Sequence, residues 1–96
     1  MRTIERTTQF KRDFKRESRW LHRAALQGTG GEFMAILHAL LTDAPLPERC
    51  CDHALGGQWK DFRDCHVKPD LILLYRKPDA TTLQLVRLGS HSELGF

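Results

Sequence analysis

Five of the 96 residues are histidine, and three of these, His53, His66 and His91, fall in a loop, at the end of an expected strand and just beyond the last one. Imidazole titrates closer to neutrality than any other side chain, so it can take or give a proton at physiological pH. In an antiparallel meander, positions of this kind can converge at one end of the sheet. The segment Arg87-Leu88-Gly89-Ser90-His91 adds a permanent cation four residues before the third histidine. Together with Asp70, these groups form a parts list for RNA cleavage without a metal. The RNA brings its own nucleophile, the 2′-hydroxyl beside the scissile phosphate. The protein must then supply a base for that hydroxyl, an acid for the departing 5′-oxygen and a cation for the developing charge. Each proton-transfer group contributes about 10² to 10⁴ in rate. An arginine can hold two phosphate oxygens at once.

Hairpin geometry refines the expectation. If Val67, Lys68 and Pro69 form a three-residue loop, His66 and Asp70 stand opposite each other, and a carboxylate there would fix the imidazole's tautomer. Equally, Asp70 can simply finish a proline turn, a role aspartate often fills. His22 and His38 lie in expected helices and read as structural or exposed. Cys50, Cys51, His53, Cys65 and His66 contain the donor types of a zinc site, but no C-x-x-C knuckle is present, and adjacent cysteines seldom reach one tetrahedral ion together. A nucleophilic Cys65 with His66 as base is disfavoured because neighbouring strand residues point to opposite faces. Trp59, Phe62 and Tyr75 read as packing residues, whereas Phe96, beyond His91, is free to stack on a base. The role of Trp20 stays open between packing and a partner contact.

The elements that must position these residues follow from periodicity. Residues 2–6 read as a first strand. From Gln9, Phe10, Phe14, Leu21 and Ala25 share a helical stripe, with lysines and arginines opposite. Gly28, Gly30 and Gly31 end that helix. Phe33, Ile36, Leu37, Leu40 and Leu41 mark the apolar face of a second, completing a helical hairpin. Between Thr42 and Gln58 the periodicity disappears around Pro45, Pro47, Gly56 and Gly57, a loop long enough to be functional. Three strands follow, over Trp59–His66, Leu71–Arg76 and Leu83–Gly89. Leu71 to Tyr75 is apolar throughout, which implies a central strand covered on both faces. The sum is an α+β domain spanning 1–96, with an N-terminal strand and helical hairpin packed on a twisted antiparallel sheet of about four strands.

Charge is unevenly placed. The net charge is +3, yet residues 1–30 hold eight Lys or Arg against three acidic residues, about +5, leaving about −2 for the remainder. A basic N-terminal segment suits a polyanion, although a solvated helix face would look the same. No apolar run reaches the roughly 18–20 residues of a membrane span, and the N-terminus lacks the apolar stretch of a signal peptide. Three cysteines, two of them adjacent, read as reduced thiols. A cytoplasmic protein without a membrane partner is expected.

Three blocks carry a family resemblance: Asp52-His53-Ala54-Leu55-Gly56-Gly57-Gln58-Trp59-Lys60, then Arg63-Asp64-Cys65-His66-Val67-Lys68-Pro69-Asp70, then Arg87-Leu88-Gly89-Ser90-His91-Ser92-Glu93-Leu94. In order and spacing the chain resembles the YafQ-like branch of the RelE/ParE toxin superfamily, over nearly its whole length. The resemblance implies a RelE-like fold and a type II toxin, a ribosome-dependent endoribonuclease acting on translating mRNA without metal or other cofactor. It implies His53, His66, Asp70 and His91 as the acid–base set, Arg87 on the scissile phosphate, and Lys60 and Arg63 as RNA-facing charge. It also implies a cognate antitoxin, with operator DNA bound only through the antitoxin complex. Two departures touch stacking on the substrate. Many relatives carry Trp where this chain has Leu71, and Gly95 intervenes between Leu94 and the terminal Phe96. The alternative from the wider superfamily is a non-catalytic toxin that poisons DNA gyrase, which has no chemical need for the histidine set.

Overall fold

Leu71–Arg76 forms the centre of the molecule because an unbroken apolar strand is stable only where both faces are covered, and Leu71 through Tyr75 are all at most 1% exposed. The computed structural model describes residues 1–19, 23–27 and 31–95. The expectations that fall on Trp20, Leu21, His22, Gly28, Gly30 and Phe96 lie outside the described residues.

The strands are β1 (Thr3–Arg6), β2 (His53–Ala54), β3 (Arg63–Lys68), β4 (Leu71–Arg76) and β5 (Thr82–Gly89), in the order β1-β5-β4-β3-β2. Among the described residues the sheet therefore has five strands rather than about four. The additional one is the two-residue β2, formed inside the long loop where His53 and Ala54 pair with Asp64 and Arg63. It is mixed rather than wholly antiparallel, because β1 runs parallel to β5. β3 begins at Arg63 and not at Trp59, which sits in a 3-10 turn over Gly57–Trp59.

The helices that precede β2 cover one face. In α1 (Thr8–Glu17), Thr7 caps the N-terminus by accepting from the Phe10 amide, the type of cap hydroxyl residues commonly supply. The first helical stretch is shorter than the apolar stripe implies: α1 ends at Glu17, and a separate α2 spans Arg23–Leu26. α3 (Glu32–Leu41) buries Phe33, Ile36, Leu37 and Leu40. Phe10, Phe14 and Phe33 make ring contacts with centroids 5.4–6.3 Å apart. They pack with Leu71, Leu73, Tyr75, Leu83, Leu85 and Leu88 in one core. α4 (His91–Leu94) opens with Ser90 and Glu93 in a reciprocal capping box.

Two irregularities decide which side chains face the other way. Val86 is an extra residue on β5, since Leu74 pairs with Arg87 while Tyr75 pairs with Leu85. A bulge of this kind reverses the alternation beyond it. Leu83, Leu85 and then Leu88 face the helices, and Arg87 is turned to the opposite face. Val67 is extra on β3 in the same way.

Candidate active site

The face away from the helices carries two cross-strand rows. His53, Asp64, Leu74 and Arg87 are successive partners across β2, β3, β4 and β5, and His66, Ile72 and Gly89 form the next row. Directly paired residues point to the same side of a sheet. Ile72 and Leu74 are fully buried and make an apolar floor, with polar side chains around it. His91, first residue of α4, meets His66 across this floor, ring centroids 5.5 Å apart and planes at 70°. His66 and His91 thus meet on a face of the sheet, not at one end of a meander.

His53 stands at the edge of that face. Its Nδ1 lies 2.7 Å from the carbonyl oxygen of Cys51 and 3.1 Å from Oδ1 of the buried Asp64. The shorter contact has hydrogen-bond geometry. Oδ1 of Asp64 makes no hydrogen bond to the described residues, so it stands beside His53 by proximity. Three inter-strand steps of roughly 4.8 Å put the His53 backbone about 14 Å from that of Arg87. His53 and Arg87 therefore flank the floor from opposite sides.

Arg87 is held from behind. Its Nε donates to Oδ2 of Asp13 at 2.8 Å, and an Nη donates to Oδ1 at 3.4 Å. Asp13 is completely buried and also accepts from the Leu88 amide (3.0 Å), Arg16 (2.9 Å) and Gln9 (3.1 Å). Burial pushes its carboxyl upward, but the hydrogen bonds from Arg87, Leu88 and Gln9 outweigh it, and the group ends below the ordinary aspartate value. This acid was missed in the sequence, where it reads as one more charge on a basic helix. The available signal was its place beside Phe10 and Phe14, three residues after the first and next to the second, on the apolar stripe.

The turn residues behave differently from expectation. Pro69 and Asp70 alone link β3 to β4, and the partner of His66 is Ile72. The expected three-residue loop, with Asp70 directly across from His66, is corrected to a two-residue turn because the Val67 bulge advances the register. Asp70 is exposed at that turn. A hollow of about 340 Å³ adjoins His66 there, lined also by Glu32, Arg49 and Lys68.

Arg63 is not brought to this group. Together with Cys65 it faces the helix side, and its guanidinium pairs with both oxygens of Asp52 at 3.3 Å. Asp52 also accepts from the Tyr75 hydroxyl. Burial, followed by the Asp52 carboxylate, pushes that hydroxyl's pKa well up. Lys60 is exposed just past the Gly57–Trp59 turn. Cys50 and Cys65 are buried free thiols and Cys51 is exposed. Burial pushes Cys65 far above the ordinary thiol value, so it is no ready nucleophile. Among the described residues no three His, Cys, Asp or Glu side chains gather to hold a metal ion.

A mixed five-stranded sheet backed by helices on one face, with paired imidazoles and a tethered arginine on the other, defines a small toxin domain of the RelE-like class. The chain belongs to the family of bacterial toxins of type II toxin–antitoxin systems, YafQ, whose profile matches residues 2–95. It is 48% identical over 50 residues to the mRNA interferase toxin YafQ of Escherichia coli K12, covering 52% of this chain and 53% of that protein. The aligned stretches span between half and two thirds of the curated relatives. Among solved structures, a copper-bound mutant toxin from Helicobacter pylori matches with a TM-score of 0.82 and 36% identity, over 98% of this chain and 99% of that one. The E. coli DinJ–YafQ complex matches with a TM-score of 0.78 and 33% identity, over 98% of both chains. No described helix is long and apolar enough to cross a membrane.

Proposed function

We propose that this chain acts, as one domain in the cytoplasm, as a ribosome-dependent endoribonuclease cutting translating mRNA, and that a cognate antitoxin restrains it. The observation that carries this reading is the placement of His66 against His91, 5.5 Å apart by ring centroids, on the face that Arg87 also occupies. The E. coli relative's name and the DinJ–YafQ complex support the activity class and the partner.

In the proposed reaction one imidazole takes the proton of the 2′-hydroxyl, whose oxygen attacks phosphorus. The bond to the 5′-oxygen breaks, and a second protonated group returns a proton to that leaving oxygen. A 2′,3′-cyclic phosphate and a 5′-hydroxyl result. His66 and His91 are assigned to the two proton transfers as a pair, with His53 and Asp70 completing the acid–base set from the edge and the turn. Arg87 steadies the phosphate: two of its five N–H groups engage Asp13, leaving three to turn outward. Lys60 and Arg63 draw the RNA backbone from outside the reacting centre, and Phe96 is assigned to base stacking. Operator DNA is met only through the antitoxin complex.

Adding the protein to a cell-free translation reaction and mapping mRNA 5′ ends tests the reading. New ends inside translated regions are expected only when ribosomes are engaged. Whole mRNA, with DNA breaks on expression in cells, would instead favour the gyrase-poisoning alternative.

A further inference from the structure

The only two fully buried charged side chains among the described residues, Asp13 and Asp64, both abut this face, one behind Arg87 and one behind His53. A buried carboxylate is costly unless its partners compensate, so five donor contacts converging on Asp13 call for an explanation. Part is structural. β5 outruns β1 by four residues, and α1 satisfies the backbone left over: Thr7 donates to the Val86 carbonyl, Arg16 to the Leu88 carbonyl, and Asp13 accepts from the Leu88 amide.

A purely structural acid would need only that amide. Asp13 instead also takes Arg87 through Nε and Nη, an engagement that fixes the guanidinium plane. Arg16, held by the same carboxylate, reaches on to Glu93 at 3.1 Å, and Glu93 accepts from the Ser90 amide in the box that starts α4 at His91. One buried acid thus stands behind both the cation and the turn that carries an imidazole.

We propose that Asp13 is the positioning residue of the site, aiming Arg87 at the scissile phosphate and, through Arg16 and Glu93, bracing the turn that presents His91. This rests on the cleavage reading above. Asp13 touches no substrate, so its removal misplaces groups without removing them, and misplacement by about 1 Å can cost about 10² in rate.

The test combines single-turnover cleavage on translating ribosomes with an NMR signature. Asp13→Asn is expected to lower the cleavage rate constant at least about tenfold with half-saturation changed less than about twofold. In an Arg87→Gln background the same substitution should cost clearly less than it does in the wild type, because the part of its effect that runs through Arg87 is already gone and only the bracing of His91 remains. Asp13→Glu should recover part of the loss. Asp13→Asn cleaving like wild type, or multiplying undiminished on Arg87→Gln, overturns the proposal. Should Asp13→Asn fail to fold, the wild-type protein still decides. Its Arg87 Nε–H resonance is expected to be protected from solvent exchange and to remain so in Arg16→Gln, and an unprotected resonance overturns the tether. Wild-type protein that leaves mRNA whole overturns the cleavage reading itself; wild-type cleavage with unaffected Asp13 variants overturns only the role of Asp13.

Discussion

His66 and His91 reach each other from the third strand and the last helix, their rings tilted at 70° with centroids 5.5 Å apart. Ile72, the partner of His66, and Gly89 beyond it set the floor between them. If both imidazoles serve one phosphodiester, His66→Ala and His91→Ala should each lower cleavage by about 10² to 10⁴. The double variant should lose little more than the worse single one, since groups that act as a unit are strongly non-additive. Cleavage rates of the four proteins check this, and losses that multiply would indicate separate roles.

Lys60 and Arg63 should behave as attracting charge. Neither lies in the rows that hold His66 and Arg87, and Arg63 is already paired with Asp52. Lys60→Gln and Arg63→Gln are expected to raise half-saturation a few-fold and leave the cleavage rate constant unchanged. Each should also flatten the salt dependence by up to about one phosphate contact. A salt titration of the two variants measures both.

Gly89 lies where Arg16 and Glu93 cross the strand. A Cβ there would stand 3.1 Å from an Arg16 Nη, 3.2 Å from Oε1 of Glu93 and 3.4 Å from its Cβ. Side-chain ends can yield by a few tenths of an ångström, so Gly89→Ala should cost about 1 kcal/mol, the low end for overpacking. The urea midpoint reads this directly. A fall in cleavage larger than the loss of folded protein would show that the Arg16–Glu93 contact also serves α4.

Asp13 gives the chain a defined acid limit. Its carboxyl is held below the ordinary value, so it binds a proton less readily folded than unfolded. Its stabilising effect is then complete above about pH 4, the unfolded value, and is lost as pH falls through the lower folded one. The stability gap between wild type and Asp13→Asn should stay level from pH 7 to about pH 4 and close below it, as followed by denaturant midpoints. A gap that widens on acidification would contradict the assignment.

Much of this architecture could be read from residue patterns, and the failures share a physical origin. β4 announces itself as five apolar residues in a row, and α3 as a stripe with one buried face. The bulge at Val86 does not. Strict alternation from Leu83 would send Arg87 into the core with Leu85, and only the pairing of Leu74 with Arg87 and Tyr75 with Leu85 reverses it. The Val67 bulge likewise removed the expected pairing of His66 with Asp70. The parallel pairing of β1 with β5 joins the two ends of the sequence, so no local pattern encodes it. His66, His91 and Arg87 were nameable as candidates because their chemistry is visible by type. Asp13 was not, because its meaning lies in what closes over it.

The account turns on cleavage by the RNA's own 2′-hydroxyl, and the chemistry of the new ends tests that most directly. mRNA cut by wild-type protein during translation should carry 5′-hydroxyl ends, labelled by a polynucleotide kinase without prior phosphatase, opposite fragments ending in 2′,3′-cyclic phosphate. His91→Ala should yield few or none. Ends carrying 5′-phosphate, or wild-type levels of cutting by His91→Ala, would contradict it.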